Sequence, residues 1–233
     1  MKNSFKSTLP DTSSNQKFHN LTADVKIYRD GYGIPHIKAT KAKDAFFGQG
    51  FATAQDRLWH MDTDRMKAYG RWSEYIGEDG LENDLFIRPL QIKSSVQNDY
   101  SKLDEITIEM LKSYASGVNA LIDSTNNLPI EYKLINTHPQ KWEPWDSLAV
   151  YKIRHLMMGG FAPKLWRAKV VNKLGPKKAS KLFKSYQPNH LLIVPPGKFY
   201  PGPYENGEEI FDKISDFISG LAEHDSGSNS WAL

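Results

Sequence analysis

The stretch KAKDAFFGQGFATAQDRLWHMDTDRMKAY, residues 41–69, has the spacing of one long amphipathic helix. Its apolar residues recur mostly at three- and four-residue steps, which places them on one continuous face. The positions on that face are Phe47, Phe51, Ala54, Leu58, Met61, Arg65 and Ala68. Thr40 is predicted to cap the start of this helix and Gly70 its end. Residues 41–69 therefore predict the central helix of the fold.

Two glycines, Gly48 and Gly50, interrupt the predicted helix. Each costs about 1 kcal/mol relative to alanine inside a helix. A glycine kept at that cost usually lets another part of the chain come close. We therefore predict a close backbone approach at this point.

The same helix is unusually polar around residues 55–65. His60 and Asp64 lie four residues apart and could bind a metal together, but no third ligand is evident nearby. The alternative is that the charged residues form ion pairs and hydrogen bonds with neighbouring elements. We favour the ion-pair interpretation.

A β-hairpin is predicted before the helix. Residues 25–29 and 35–38 supply the strands, and Asp30-Gly31-Tyr32-Gly33 is a turn sequence between them. Residues 1–20 are rich in polar side chains and are predicted to be a disordered lead-in.

The segments after the central helix are predicted mainly from apolar periodicity and from proline and glycine. They are a loop to residue 100, helices at 101–122, 130–135, 146–158 and 177–186, an irregular proline-rich connection at 188–207, and a short helix at 208–221. Lysines between residues 164 and 184 alternate with apolar residues and predict a solvated helical face.

Composition limits the class of protein. The 233 residues are 39% hydrophobic and 24% charged, which is typical of a soluble globular chain. The net charge of +3, with both signs interspersed, does not indicate nucleic-acid binding. No cysteine is present, so disulfides and thiolate chemistry are excluded. No segment is apolar enough for a signal peptide or a membrane span, so we expect a cytoplasmic protein, or a periplasmic or secreted one if the start is truncated.

Several motifs at fixed offsets resemble the opening of the α-chain of the penicillin acylase family, which belongs to the N-terminal-nucleophile (Ntn) hydrolases. They are Gly33-Ile34-Pro35-His36, Phe47-Gly48-Gln49-Gly50-Phe51, Ala54-Gln55-Asp56-Arg57-Leu58-Trp59, Met61-Asp62, and Gly70-Arg71 with Ser73-Glu74 and Gly77. The resemblance implies an α+β fold, the αββα sandwich of Ntn hydrolases when complete. This segment would be mainly α-helical with an N-terminal β-hairpin.

The same resemblance predicts the organisation of the chain. Residues 21–187 would be the α-chain, residues 188–227 a connection and a spacer that is later removed, and residues 228–233 the start of a truncated β-chain. The β-chain of the same precursor is then the expected partner, and no nucleic acid or membrane is expected.

The run Gly227-Ser228-Asn229-Ser230-Trp231 resembles the self-cleavage site of that family. Cleavage between Gly227 and Ser228 would make Ser228 the first residue of a new chain. Its α-amine, with a pKa of about 7.7–8.0, could then act as the base for its own hydroxyl. Ser226 and Ser230 are rival nucleophiles, but only Ser228 has glycine before it and asparagine after it. The motif is weak by itself and gains weight from the α-chain-like region before it.

The helix at 146–158 resembles the one that lines the acyl pocket in the family, and it starts after Trp142-Glu143-Pro144-Trp145. The candidate pocket residues at its end are His155, Met157, Met158 and Phe161. Methionine adapts to ligands of different shapes, so these residues could form a soft apolar wall. They could equally be core residues, and both interpretations stay open.

A departure from the family concerns calcium. Lys164 stands where many members have a calcium-coordinating glutamate, and an ammonium group would repel Ca²⁺. Either the protein lacks the calcium of the family, or another residue aligns with that glutamate, or ligands beyond Leu233 suffice. We assign no metal and no other cofactor.

The function implied by the resemblance is hydrolysis of small linear amides, as in a penicillin amidase, by a zymogen that cleaves itself. Alternatives are an acyl-homoserine-lactone acylase, a glutaryl or cephalosporin acylase, and a non-catalytic helical remnant that binds a separate β-chain. The oxyanion donors of the family lie in the β-chain, so we expect the 233-residue chain alone to be incomplete and inactive.

Overall fold

The computed structural model of the chain describes residues 8–158 and 161–182. The chain divides into two compact units, Met1–Arg154 and His155–Leu233. The described elements are β1 (Lys26–Arg29), β2 (Pro35–Lys38), α1 (Ala42–Ala68), α2 (Ser73–Ile76), α3 (Leu81–Ile87), α4 (Ile92–Tyr100), α5 (Glu105–Ser124), α6 (Ile130–Leu134), α7 (Asp146–Met158), α8 (Phe161–Leu174) and α9 (Pro176–Leu182), with 3₁₀ turns at Gly77–Gly80 and Arg88–Leu90. A mainly helical chain with an N-terminal hairpin was predicted, and this prediction is confirmed.

The hairpin pairs β1 with β2 in antiparallel register, with Ile27 opposite Ile37 and Tyr28 opposite His36. One face of the hairpin packs on α1, where the side chains of Val25 and Ile37 lie directly over Gly48. A methyl group at position 48 would have to displace them, so the missing side chain lets the hairpin sit close to the helix.

Helix α1 spans nearly the whole predicted stretch but starts later than predicted. Lys41, not Thr40, is its N-cap, because the backbone is still extended there, with φ −119° and ψ 140°. No side chain caps this end. The helix also kinks at Arg57, where φ is −139°. At its far end Gly70 adopts a φ of 62°, the left-handed conformation that glycine accepts most easily.

The long helices α1 and α5 pack through glycines on both sides. A Cβ atom on Gly50 would overlap the carbonyl oxygen of Tyr114, and one on Gly117 would overlap that of Phe47. The predicted close approach at Gly50 is therefore confirmed, and its counterpart Gly117 was missed. Because the two backbones nearly touch, each helix fixes the position of the other.

The core of the first unit lies where α1, α5, α6 and the segment before α7 meet. Its buried members are Phe51, Ala54, Leu58, Met61, Ala115, Val118, Leu121, Tyr132 and Trp142. Phe18, from the stretch predicted as a lead-in, also packs here, with its ring centroid 5.6 Å from Phe47 and 5.5 Å from Phe51.

The loop predicted up to residue 100 is wrong, because α3 and α4 occupy most of it. Each helix is short, and Pro89 and a left-handed Gln91 (φ 48°) separate them, so neither gives a long periodic pattern. Buried Asp84 joins α3 to the start of α2. Its carboxylate accepts hydrogen bonds from the backbone N–H groups of Trp72 (2.7 Å) and Ser73 (2.8 Å).

In the second unit α8 ends at Leu174, and Gly175, which has a φ of 75°, separates it from α9. The helix predicted at 177–186 corresponds to α9, and its last residues lie outside the described part. The segments predicted at 188–207 and 208–221 also lie outside it. Among the described helices, none combines the length and the apolar character that a bilayer span requires.

Candidate active site

The predicted nucleophile and cleavage site, Ser228 and Gly227, lie outside the residues that the structure describes. The side chains of Met157, Met158 and Phe161 are also outside them. His155 is described and is exposed in the last turn of α7. These site assignments therefore stay predictions. The structure does describe α7, the helix that carries the predicted pocket wall.

The start of α7 is held by its first residue, Asp146, whose side chain is buried. Its carboxylate oxygen Oδ2 accepts a hydrogen bond from the backbone N–H of Glu143 at 2.9 Å. The bond closes the turn that Pro144 begins, and a negative charge in the first helical turn also suits the helix dipole. The sequence Trp142-Glu143-Pro144-Trp145-Asp146 thus fixes where α7 begins.

Arg65 of α1 connects the central helix to this turn. Its guanidinium donates to Asp146 Oδ2 at 3.0 Å and to the carbonyl oxygen of Lys141 at 2.8 Å, and it forms a second ion pair with Asp62. Its Cζ atom lies 5.0 Å from the ring centroid of Trp142, in a cation–π contact. Burial alone would lower the pKa of Arg65, but the charges of Asp62 and Asp146 raise it.

Three tyrosine hydroxyls donate to the remaining carboxylate oxygens. Tyr69 donates to Asp146 Oδ1 at 2.5 Å, whereas Tyr75 and Tyr132 donate to Asp62 Oδ2 at 2.6 and 2.8 Å. Burial, followed by the neighbouring carboxylates, raises the pKa of all three tyrosines. They stay protonated and act as hydrogen-bond donors at neutral pH.

This cluster contains two carboxylates and one guanidinium. Hydrogen bonds from the hydroxyls and the backbone compensate the excess negative charge, as a buried charge requires. Each of these groups is occupied by its neighbours, so the cluster offers no nucleophile. The cluster instead holds two helices in position, because it joins α1 to the first residue of α7.

The pair His60 and Asp64 is an ion-pair site. Arg154 of α7 donates from Nε to Asp64 Oδ2 at 2.7 Å and also contacts His60 Nε2. The guanidinium of Arg154 thus occupies the place that a metal ion would take, and the ion-pair interpretation is confirmed. No group of three or more potential metal ligands occurs among the described residues. The side chain of Lys164 is not among them, so the calcium assignment stays a prediction.

An apolar cavity of about 340 Å³ lies between α1, α5 and the first two turns of α7. Its walls are Phe46, Gln49, Met61, Thr107, Met110, Leu111, Tyr114, Trp142, Ser147 and Val150. His155, the one predicted pocket residue whose side chain the structure describes, does not line this cavity. The sequence interpretation placed the pocket at the end of α7 and did not predict this cavity at its start.

The sequence interpretation also missed the roles of the tyrosines and of Asp84. The sequence carried one weak signal, since Tyr69 lies one helical turn after Arg65 and could share its surroundings. Tyr132 gave none, because it is distant in sequence from its partner Asp62. Contacts between distant positions cannot be obtained from helical spacing.

Comparisons with known proteins place this architecture in context. A family model described as penicillin amidase matches residues 24–233. The penicillin acylase 2 proenzyme of Pseudomonas sp. (strain SE83) is 41% identical over 189 residues, which is 81% of this chain and 24% of that protein. The acyl-homoserine lactone acylase QuiP of Pseudomonas aeruginosa is 28% identical over 218 residues, covering 92% of this chain and 24% of that protein. The chain thus spans about a quarter of the length of these relatives.

A solved structure, the thermostable penicillin G acylase from Alcaligenes faecalis, matches with a TM-score of 0.56 and 23% identity. The match covers 77% of this chain and 98% of the solved one. At that identity the likeness concerns the fold alone. The matching region in that structure is a chain of its own and is no longer than this one.

Proposed function

Because the chain belongs to the penicillin amidase family, we propose that it is the first part of a precursor whose mature form hydrolyses linear amides. Ser228 would be the nucleophile, exposed by cleavage after Gly227. The observation that carries this proposal is the extent of the family match, which runs through both residues to the end of the sequence. The word proenzyme in the description of the relative from Pseudomonas sp. agrees with a processed precursor.

The proposed cleavage breaks the peptide bond between Gly227 and Ser228. The Ser228 hydroxyl attacks the carbonyl carbon of Gly227, and the acyl group moves from nitrogen to oxygen. The proton lost by the hydroxyl passes to the nitrogen, which frees the Ser228 amine. Water then hydrolyses the ester and leaves a carboxylate on Gly227. Glycine suits this position because, without a Cβ atom, it reaches strained conformations and leaves its carbonyl open.

The same serine would then process substrate. Its α-amine, with a pKa of about 7.7–8.0, accepts the hydroxyl proton while the oxygen attacks the substrate amide. The amine product leaves with a proton, and water releases the carboxylic acid from the acyl-enzyme. The oxyanion must be held by donors elsewhere, each worth about 2.7–4 kcal/mol.

The described residues would serve as the scaffold of this site. Arg65 and Asp146 fix the start of α7, and Arg154 binds Asp64 near its end. A pocket needs walls held within a fraction of an ångström, and these ion pairs, of which Arg65–Asp146 is buried, would supply that rigidity. Small-molecule amides would be the substrates, and a second chain from the same precursor would be the partner.

Processing of the complete precursor tests the proposal. We expect Ser228→Ala to remain one uncut chain with no amidase activity, whereas the matched control Ser230→Ala is cut and active. Gel analysis and hydrolysis of a chromogenic phenylacetyl amide measure both outcomes. A precursor that is cut normally with Ser228→Ala would eliminate Ser228 as the nucleophile.

A second candidate is hydrolysis of acyl-homoserine lactones. The match to QuiP, 28% identical over 92% of this chain, supports it, although the match to penicillin acylase 2 has the higher identity of 41%. Relative kcat/KM values for phenylacetyl amides and for long-chain acyl-homoserine lactones separate the two candidates. Preference for the lactones would support this second candidate.

A further inference from the structure

The hairpin presents one face that nothing in the described part of the chain covers. Lys26, Tyr28, His36 and Lys38 are all exposed, whereas the residues between them are partly buried toward α1. We call these four residues the outer face. The residues Tyr32 and Ile34, which we call the tip, are 92% and 54% exposed.

The outer face is ordered by an aromatic stack. The rings of Tyr28 and His36 lie 5.1 Å apart with an interplanar angle of 8°. His36 Nε2 also lies 3.0 Å from Asp30 Oδ2, so the imidazole is held in place. A flat, preorganised aromatic surface loses little entropy on binding and is therefore suited to a contact.

The charges of the outer face are unfavourable for the chain alone. Lys26 and Lys38 lie directly opposite each other in the register of the hairpin. Like charges at directly opposite positions destabilise a sheet. Neither ammonium has an ion-pair partner among the described residues, since Asp30 binds His36 and Asp56 binds Arg29. A carboxylate from outside the described part would relieve this repulsion.

We propose that the outer face and the tip form the docking surface for an acidic, partly apolar surface of the second chain, the part of the precursor that follows Gly227. This inference rests on the proposed function, because the second chain comes from the same precursor. The relatives are about four times as long as the region matched, and the matching region of the solved acylase is a separate chain. Carboxylates would face Lys26 and Lys38, and apolar side chains would cover Tyr28, Tyr32 and Ile34.

The charge of the outer face also argues against a second copy of this chain as the occupant. Two such faces would bring four lysines together, and the Asp30 carboxylate at each face is already bound to His36. Electrostatic complementarity selects a negatively charged partner instead and raises its association rate.

Photo-crosslinking in the complete precursor tests the contact. With Tyr32→benzoylphenylalanine, we expect crosslinks to residues beyond position 233, mapped by mass spectrometry, and no such crosslinks from the control Lys102→benzoylphenylalanine. The crosslinks can be mapped whether or not the chain is cut, so a failure of the proposed cleavage does not hide the result. Absence of crosslinks beyond position 233, or crosslinks to a second copy, would overturn the proposal.

Charge reversal tests the chemistry of the partner. Lys26→Glu with Lys38→Glu should weaken association of the processed chains about tenfold or more at an ionic strength near 0.15 M. The matched control, Lys102→Glu with Lys133→Glu, should leave association within about twofold. The outer face does not pack on α1, so circular dichroism should show an unchanged helical content. Equal association for both double variants would contradict an acidic partner.

Discussion

At the scale of single residues, the structure is organised around a few buried charges whose partners are distant in sequence. Arg65 and Asp146 are separated by 81 positions yet form a buried ion pair. The sequence placed Arg65 on the core-facing side of its helix and Asp146 at a helix start, and both placements are correct. It could not pair them, because spacing along one helix contains no information about which helix lies opposite.

The importance of Arg65 can be measured through stability. Arg65→Met would leave Asp62 and Asp146 buried without a cation, which should lower the free energy of unfolding by about 3–5 kcal/mol. Denaturation of the chain in urea measures the change, with the exposed Arg57→Met as the control. A loss below about 1 kcal/mol would show that the two carboxylates do not depend on the guanidinium.

Asp84 predicts a pH dependence. Burial alone would raise the pKa of Asp84, but hydrogen bonds from Ser73, Asn83 and Trp72 lower it. A carboxyl whose pKa is lowered by folding stabilises the fold above its unfolded pKa of about 3.9. That contribution is lost as the pH falls through the folded pKa.

We therefore expect the free energy of unfolding of the unaltered chain to fall more steeply between pH 5 and pH 3 than that of Asp84→Asn. Urea denaturation at several pH values in that range measures both slopes. The exposed Asp79→Asn should keep the steep slope. Identical slopes for Asp84→Asn and the unaltered chain would contradict the assignment.

At the scale of elements, prediction succeeded where apolar periodicity or a proline marked a helix, and this includes the five-residue α6 that follows Pro129. Helix α1, at 27 residues, and α5, at 20, gave clear periodicity and were predicted. Helices α3 and α4 have 7 and 9 residues, and a proline and a left-handed residue separate them, so no periodic pattern emerged. The predicted site at the end of α7 rests on family resemblance, because periodicity cannot separate a pocket wall from a core.

The glycine contact between α1 and α5 gives a prediction at this scale. Gly117→Ala would place a methyl group against the carbonyl oxygen of Phe47 and force the two helices apart. We expect a loss of stability of about 1–3 kcal/mol, as for overpacked cores. Thermal unfolding measures it, with Gly31→Ala as the control, since a Cβ atom there meets nothing within 4 Å. Equal melting temperatures for the two variants would show that the helices can adapt.

At the scale of the whole molecule, the chain combines a scaffold of the penicillin amidase family with a candidate nucleophile near the end of the sequence. Family resemblance over residues 33–77 made the short motif at Gly227 and Ser228 credible. Among the described residues, Arg65 and Asp146 fix the start of α7, the helix that carries most of the predicted pocket residues.

We expect the 233-residue chain alone to hydrolyse no amide above background. Ser228 is not the first residue of this chain, so its amine is part of a peptide bond and cannot act as a base. Assays with a chromogenic phenylacetyl amide and with a long-chain acyl amide measure this directly. Turnover by the purified chain that persists in Ser228→Ala would indicate a different active site.

The central claim is that Ser228 becomes the first residue of a catalytic chain, and N-terminal sequencing of the heavy product of the complete precursor tests it most directly. We expect the sequence Ser-Asn-Ser-Trp-Ala-Leu, which begins at Ser228. A heavy product that begins at any other residue, Ser226 and Ser230 included, would contradict the account.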